Sequence, residues 1–142
     1  MGGWLWVDSP TAPWSFLLVT VILGGSAAFT AGRALAQTWR PMWQAFAYAA
    51  ALAAAAGFLH YVLFHEPAIP GARILTLLRD LPAAPGASLS GLAAALRHAA
   101  VIYVTLCVFA VVGYRMTRAS GMTRQYGFEI ERTGLLSWRH RP

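Results

Sequence analysis

Two histidines are the side chains in this sequence best placed to carry chemistry. His60 lies near the end of the second long apolar stretch and His98 near the start of the third. If these stretches are antiparallel helices, both imidazoles sit at a similar depth, where they could ligate a haem iron or a metal ion. Each could instead reach interfacial water or hydrogen-bond a backbone carbonyl, and we expect this role. We therefore predict no bound cofactor and no metal. If the protein does bind a cofactor, His60 and His98 are its candidate ligands.

Recognisable catalytic motifs are missing from the sequence. It contains no glycine-rich phosphate loop, HExxH, CxxC or serine-nucleophile elbow. The apolar stretches contain no aspartate or glutamate, and the single cysteine, Cys107, cannot form an intramolecular disulfide. Arg97, inside the third stretch, is expected to extend its guanidinium towards lipid headgroups. These features predict a protein that is not an enzyme.

The composition is that of a membrane protein. Of 142 residues, 58% are hydrophobic and only 11% are charged, well below the charged fraction of a soluble domain. The net charge of +6 could suggest nucleic acid as a partner. Because the basic residues flank apolar stretches, membrane orientation explains them better. We therefore expect contact with membrane lipid and no binding of nucleic acid.

Three apolar stretches predict an all-α membrane protein with transmembrane helices at about residues 15–32, 42–64 and 92–114. They make up a predicted transmembrane domain, residues 1–114. A polar, arginine-rich tail follows, residues 115–142, and contains six of the arginines.

The first stretch has a rival interpretation as a cleaved signal peptide. Ala34-Leu35-Ala36 before Gln37 resembles a signal-peptidase site. However, no basic side chain precedes the stretch, and Arg33 lies between the apolar run and this site. We expect the segment to remain uncleaved as the first span.

Small residues recur at every fourth position on the first two predicted spans. Such strips allow helix backbones to approach closely in a membrane. The two strips predict that the first and second spans form a tightly packed hairpin, with these residues at helix contacts: Gly24, Ala28 and Gly32 on the first, and Ala45, Ala49, Ala53 and Gly57 on the second.

The arginines predict an orientation. Arg33, Arg40 and the six tail arginines, eight in all, share one side of a three-span protein, whereas Arg73, Arg79 and at most Arg97 lie on the other. The positive-inside rule then places the N-terminus outside and the C-terminus in the cytoplasm. The outer loop, residues 65–91, contains an amphipathic segment at 72–81 that predicts a short interfacial helix.

The tail combines arginines with aromatic residues and two glutamates. Contact with anionic lipid alone would require arginine but not glutamate, and aromatic and arginine residues are the usual anchors of protein interfaces. We expect the tail to bind a protein partner, although headgroup contact is an alternative. The expected partner-binding residues are Arg124, Tyr126, Phe128, Arg132, Trp138 and Arg139.

Two segments resemble a small family of uncharacterised alphaproteobacterial inner-membrane proteins. They are WSFLLVTVILGGSAAFTAGRALAQTWRPMWQ at residues 14–44, and the stretch from Gly113 to the tail sequence ERTGLLSWR at 131–139. The resemblance implies a gene neighbourhood of branched-chain amino-acid ABC transporters and hence an accessory membrane subunit. It supplies no catalytic residue. The proline-rich loop from Glu66 to Gly91 is larger than the family pattern.

These observations predict a non-catalytic accessory or assembly subunit of a larger bacterial inner-membrane complex. The resemblance makes a branched-chain amino-acid ABC importer, with its permease subunits, the candidate complex. A small redox anchor that binds haem b or quinone through His60 and His98 is one alternative. A homo-oligomeric small transporter is another.

Overall fold

Alanine- and leucine-rich stretches of this sequence form three long helices, as the helix propensity of these residues favours. The structure is a computed structural model that describes residues 12–64, 78–80, 82–83 and 85–140. Within these ranges three helices are long and apolar enough to cross a membrane, so the chain is a membrane protein. The first helix runs from Ala12 to Gln37 and has its candidate span at Pro13–Gln37. The second helix is Trp43–Phe64, and the third, Pro85–Gln125, has its candidate span at Leu89–Gln125.

Large apolar side chains point outwards from all three helices. This is the reverse of a water-soluble bundle and is the pattern that a hydrocarbon environment favours. Examples are Leu18 and Ile22 on the first helix, Phe58 and Leu63 on the second, and Val104 and Val108 on the third.

The first helix changes its winding along its length. It is an α-helix at Ala12–Ser15, a π-helix at Phe16–Gly24 and again an α-helix at Gly25–Gln37. A π-helix closes its hydrogen bonds five residues apart and is rare, occurring mostly as single turns at functional positions. Here it carries Thr20, which is completely buried.

The first helix ends in a Schellman motif. Trp39 N–H donates to the carbonyl of Ala36 at 3.3 Å, and Arg40 N–H donates to the carbonyl of Leu35 at 3.0 Å. Trp39 occupies the left-handed position of the motif with φ of 56°. Glycine is the usual residue there, because a bulky side chain disfavours positive φ.

The first and third helices run parallel and cross at two glycines. A Cβ added to Gly32 would lie 2.0 Å from the carbonyl oxygen of Ala110, and one added to Gly113 would lie 2.3 Å from the carbonyl oxygen of Phe29. Each glycine therefore admits the backbone of the opposite helix.

The small-residue strip of the first helix thus has a different neighbour from the one predicted. Gly24 faces the side chain of Leu106 and Gly32 faces Ala110, so both glycines of the strip pack on the third helix. The reason is that Ala110 and Gly113 give the third helix its own small surface at the crossing, and these two residues are three positions apart and not four.

The third helix is longer than the predicted span. It continues from Tyr114 to Gln125, so the predicted boundary between residues 114 and 115 falls within a helix. At 37 residues the span-containing part measures about 55 Å, against a hydrocarbon core of roughly 30 Å. Tyr114 donates its hydroxyl to the carbonyl of Arg40 at 2.7 Å, level with the connection between the first two helices. Residues beyond Tyr114 therefore extend past that connection, at what we term the arginine-rich end.

A small β-hairpin follows the third helix, so the fold is not entirely helical. Strand β1, Ile130–Arg132, pairs antiparallel with strand β2, Trp138–His140, in the register Ile130↔His140, Glu131↔Arg139 and Arg132↔Trp138. The predicted interfacial helix at 72–81 lies mostly outside the described residues; of it, 78–80 are helical and exposed.

Candidate functional site

The structure brings the two candidate histidines together. The ring centroids of His60 and His98 are 5.9 Å apart, with an angle of 79° between the ring planes. His60 is 3% exposed, and its Nε2 lies 2.9 Å from the hydroxyl oxygen of Thr20. The second helix is therefore linked by a polar contact to the first helix and by a ring contact to the third.

This arrangement is well suited to holding three helices in register. A hydrogen bond between buried side chains of different helices stabilises a membrane bundle modestly. It could also hold a ligand, since neutral imidazole binds metals and haem. Among the residues that the structure covers, no group of three or more His, Cys, Asp or Glu side chains could hold a metal ion.

Thr20 is the member of this cluster that sequence reasoning missed. The available signal was its depth. Thr20 is a polar residue in the first predicted span, in the half farther from the arginine-rich end, and His60 lies in the same half of the second span. Arg97, the other intramembrane candidate, is exposed.

The predicted helix-packing residues lie mainly in the interior. Ala28, Ala45 and Ala49 have no exposed surface, and Gly24, Gly32 and Gly57 are buried, whereas Ala53 is half-buried.

The predicted partner-binding residues divide into two groups in the hairpin region. Arg132 donates to the carbonyls of Gly134 at 2.8 Å and Leu135 at 3.2 Å, within its own turn. Arg139 pairs with Glu131 on the opposite strand. Trp138 is half-buried in β2. These three residues make contacts within the hairpin, although Arg132 and Arg139 are also exposed. Arg124, Tyr126 and Phe128 are exposed as well.

Four large apolar side chains in the hairpin and in the turn before it are exposed. Phe128 is 72% exposed and Leu135 is 67% exposed, and Tyr126 and Leu136 are also exposed. We call these four residues the hairpin apolar surface. Sequence reasoning identified the two aromatic residues but missed both leucines, because only the turn between β1 and β2 turns them outwards.

The hairpin apolar surface is attached firmly to the third helix. Ile130 is buried at 4% exposure, and its N–H donates to the carbonyl of Tyr126 at 2.8 Å. Arg115 Nε donates to the carbonyl of Leu136 at 3.3 Å, which folds the turn back alongside the helix. The exposed side chains are thus presented from an ordered scaffold.

The arrangement places the two leucines near the predicted membrane surface. Arg115 directly follows Tyr114, which contacts the connection between the first two helices.

Comparison with known proteins gives one match. A family model described as a domain of unknown function (DUF6867) matches residues 11–76 and 87–141. The match covers far more than half of the chain, which therefore belongs to this family. Residues 77–86, within the loop expected to exceed the family pattern, lie between the matched segments. No curated protein and no solved structure matches.

Proposed function

We propose that this member of the DUF6867 family is a non-catalytic accessory subunit of a bacterial inner-membrane complex. The hairpin apolar surface is the observation that carries the proposal. An ordered module that exposes two aromatic residues and two leucines outside the spans has the composition of an interface anchor. The sequence resemblance makes a branched-chain amino-acid ABC importer the partner to test first.

The proposed orientation has the arginine-rich end in the cytoplasm. The last turns of the first helix, the connection after it, the end of the third helix and the hairpin all lie at this end, and seven of the eleven arginines are among them. The positive-inside rule supports this assignment. The hairpin would then contact the cytoplasmic edge of the importer's permease subunits.

Protein is a better occupant of the hairpin apolar surface than lipid alone. Glu129 is exposed beside Phe128, whereas Glu131 in β1 is already paired with Arg139. Carboxylates are unfavourable next to anionic headgroups but are ordinary at the polar rim of a protein interface. The position of Leu135 and Leu136 at the level of Arg115 favours a partner that is itself in the membrane.

The test is co-purification of the importer permease subunits with Phe128→Ala. This change removes exposed surface without touching the contacts of the hairpin. If Phe128 is an anchor, the loss is about 2 kcal/mol, or roughly thirtyfold in affinity. Phe58→Ala is the matched control, because Phe58 is 51% exposed on the second helix.

If the Phe128→Ala variant still co-purifies with the permeases and the Phe58→Ala variant does not, the interface lies within the membrane. Trp138→Ala is a poorer test, since half-buried Trp138 belongs to the strand pairing. Its removal would disturb the hairpin itself.

A redox anchor is the second candidate function, favoured by the 5.9 Å approach of His60 and His98. The 2.9 Å contact of His60 Nε2 with Thr20 opposes it, because that nitrogen would have to exchange its partner to bind iron. Visible absorbance of protein purified from native membranes separates the two functions. A haem band that His60→Ala abolishes would establish the redox function.

A further inference from the structure

A basic cavity of about 510 Å³ opens at the arginine-rich end, between the last turns of the first helix and the extension of the third. Every charged residue in its lining is an arginine: Arg33 from the first helix, and Arg118 and Arg124 from the third. Phe29 and Met116 contribute apolar walls. The cavity therefore combines a concentrated positive charge with hydrophobic surface.

Two of the guanidinium groups rest on aromatic rings. The Cζ atom of Arg118 lies 4.0 Å from the ring centroid of Trp39 and 5.8 Å from that of Tyr114. The Cζ atom of Arg33 lies 5.9 Å from the ring centroid of Phe29. Stacking of this kind holds a planar guanidinium in place while leaving its N–H donors available.

Arg118 has a donor that the protein leaves unused. Its Nη1 is buried and has no hydrogen-bond partner among the residues that the structure describes. A buried charged donor without an acceptor is unfavourable, so an acceptor from outside would relieve the cost. The favourable interaction of arginines with helix C-termini explains Arg124 in the last turn, but not this buried donor about two turns earlier.

Trp39 connects this cavity with the unusual end of the first helix. It is the residue with positive φ in the Schellman motif, where glycine would be favoured. The backbone thus adopts a conformation that is unfavourable for tryptophan and places the indole beneath Arg118. Such outliers often mark functional positions.

We propose that this cavity binds the phosphate group of an anionic phospholipid headgroup. Arginine donors match phosphate oxygens in geometry and charge, and basic pockets between transmembrane helices commonly bind such headgroups. The apolar walls at Phe29 and Met116 suit the glycerol and upper acyl region of a lipid. Tyr114, beneath Arg118, is level with Arg40 at the connection between the first two helices, where headgroups lie.

The experiment measures binding of phosphatidylglycerol to the full chain in neutral detergent, by native mass spectrometry and by the shift in thermal stability. Phosphatidylcholine and inorganic phosphate are the comparison ligands. Saturable binding of phosphatidylglycerol with little binding of phosphatidylcholine is expected. Arg118→Gln should weaken that binding about tenfold, the loss of one charge-assisted hydrogen bond. Arg40→Gln, at an exposed arginine of the same end that lies outside the cavity lining, should leave it unchanged.

A second variant separates binding from folding. Trp39→Gly supplies the residue that the Schellman motif favours, so the helix end should fold at least as well. It also removes the platform of Arg118 and should reduce phosphatidylglycerol binding several-fold. If inorganic phosphate binds as tightly as phosphatidylglycerol, the cavity is a phosphate site whose ligand is a soluble phosphate compound and not a lipid. Binding unaffected by both Arg118→Gln and Trp39→Gly, or no binding of either anion, would overturn the proposal.

Discussion

Replacing Gly32 with alanine should force the first and third helices apart. The new Cβ would lie 2.0 Å from the carbonyl oxygen of Ala110 and 3.0 Å from the backbone nitrogen of Tyr114. Both contacts are with backbone, which cannot rotate away as a side chain can. Ordinary contact begins at 3.4 Å, so the backbones must separate by about 1.4 Å.

The magnitude follows from two opposing effects. Overpacking of a close contact destabilises by about 1–3 kcal/mol. The higher helix propensity of alanine stabilises the first helix of the variant by up to about 1 kcal/mol. We therefore expect Gly32→Ala to lower the free energy of unfolding by about 1–2 kcal/mol, which changes the unfolding equilibrium roughly 5- to 30-fold.

Gly121→Ala is the matched control, since a Cβ at Gly121 on the third helix meets nothing within 4 Å. It should be neutral or stabilising by up to about 1 kcal/mol. The assay is unfolding in detergent, followed by circular dichroism. Gly113→Ala should destabilise as Gly32→Ala does, and the double variant by less than the sum, because the first substitution already separates the helices. Equal stabilities of the Gly32→Ala and Gly121→Ala variants would refute the close crossing.

Three further outcomes are expected. Thr20→Val removes the contact with His60 and should lower stability in detergent by about 1 kcal/mol, whereas Thr30→Val, which removes a bond within its own helix, should have less effect; equal effects would contradict a link between helices. Tyr114→Phe removes the hydrogen bond to the carbonyl of Arg40 and should lower stability by about 1 kcal/mol, whereas Tyr48→Phe, at an exposed tyrosine, should have no effect. An unchanged unfolding curve for Tyr114→Phe would contradict a stabilising role for this bond. A C-terminal fluorescent fusion should be bright and a phosphatase fusion inactive, and the reverse result would invert the proposed orientation.

The helices of this fold were predictable because their signal is local. Apolar stretches of sufficient length must form helices in hydrocarbon, where each backbone group needs a partner within the segment. The second helix, Trp43–Phe64, nearly coincides with the predicted 42–64. The third helix extends further than predicted because Arg115 and Arg118 lower the hydropathy of a segment that remains a good helix former.

The neighbours of each helix were harder to predict. A strip of small residues indicates that another backbone approaches, but not which one. Gly32 fits the third helix because Ala110 and Gly113 lie at the matching height, and that height depends on how the helices are placed along their axes. The His60 and His98 pair was predictable because antiparallel spans place the end of the second helix and the start of the third at a similar depth.

The hairpin was missed because its strands are three residues long. Alternation over so short a run carries little signal. Its stability comes from non-local contacts instead, including buried Ile130 and the bond from Arg115 to the carbonyl of Leu136. Leu135 lies in the turn between the two strands and is exposed, which no local pattern indicates.

Site-specific photocrosslinking in native membranes tests the central claim most directly. A photoreactive amino acid replaces Phe128 in one variant, Leu135 in a second and Phe58 in a third. The proposed function predicts discrete crosslinks to the importer permease subunits from Phe128 and Leu135, and none from Phe58. Crosslinks to the permeases from Phe58 alone, or crosslinks to lipid alone from both hairpin positions, would contradict docking through the hairpin apolar surface.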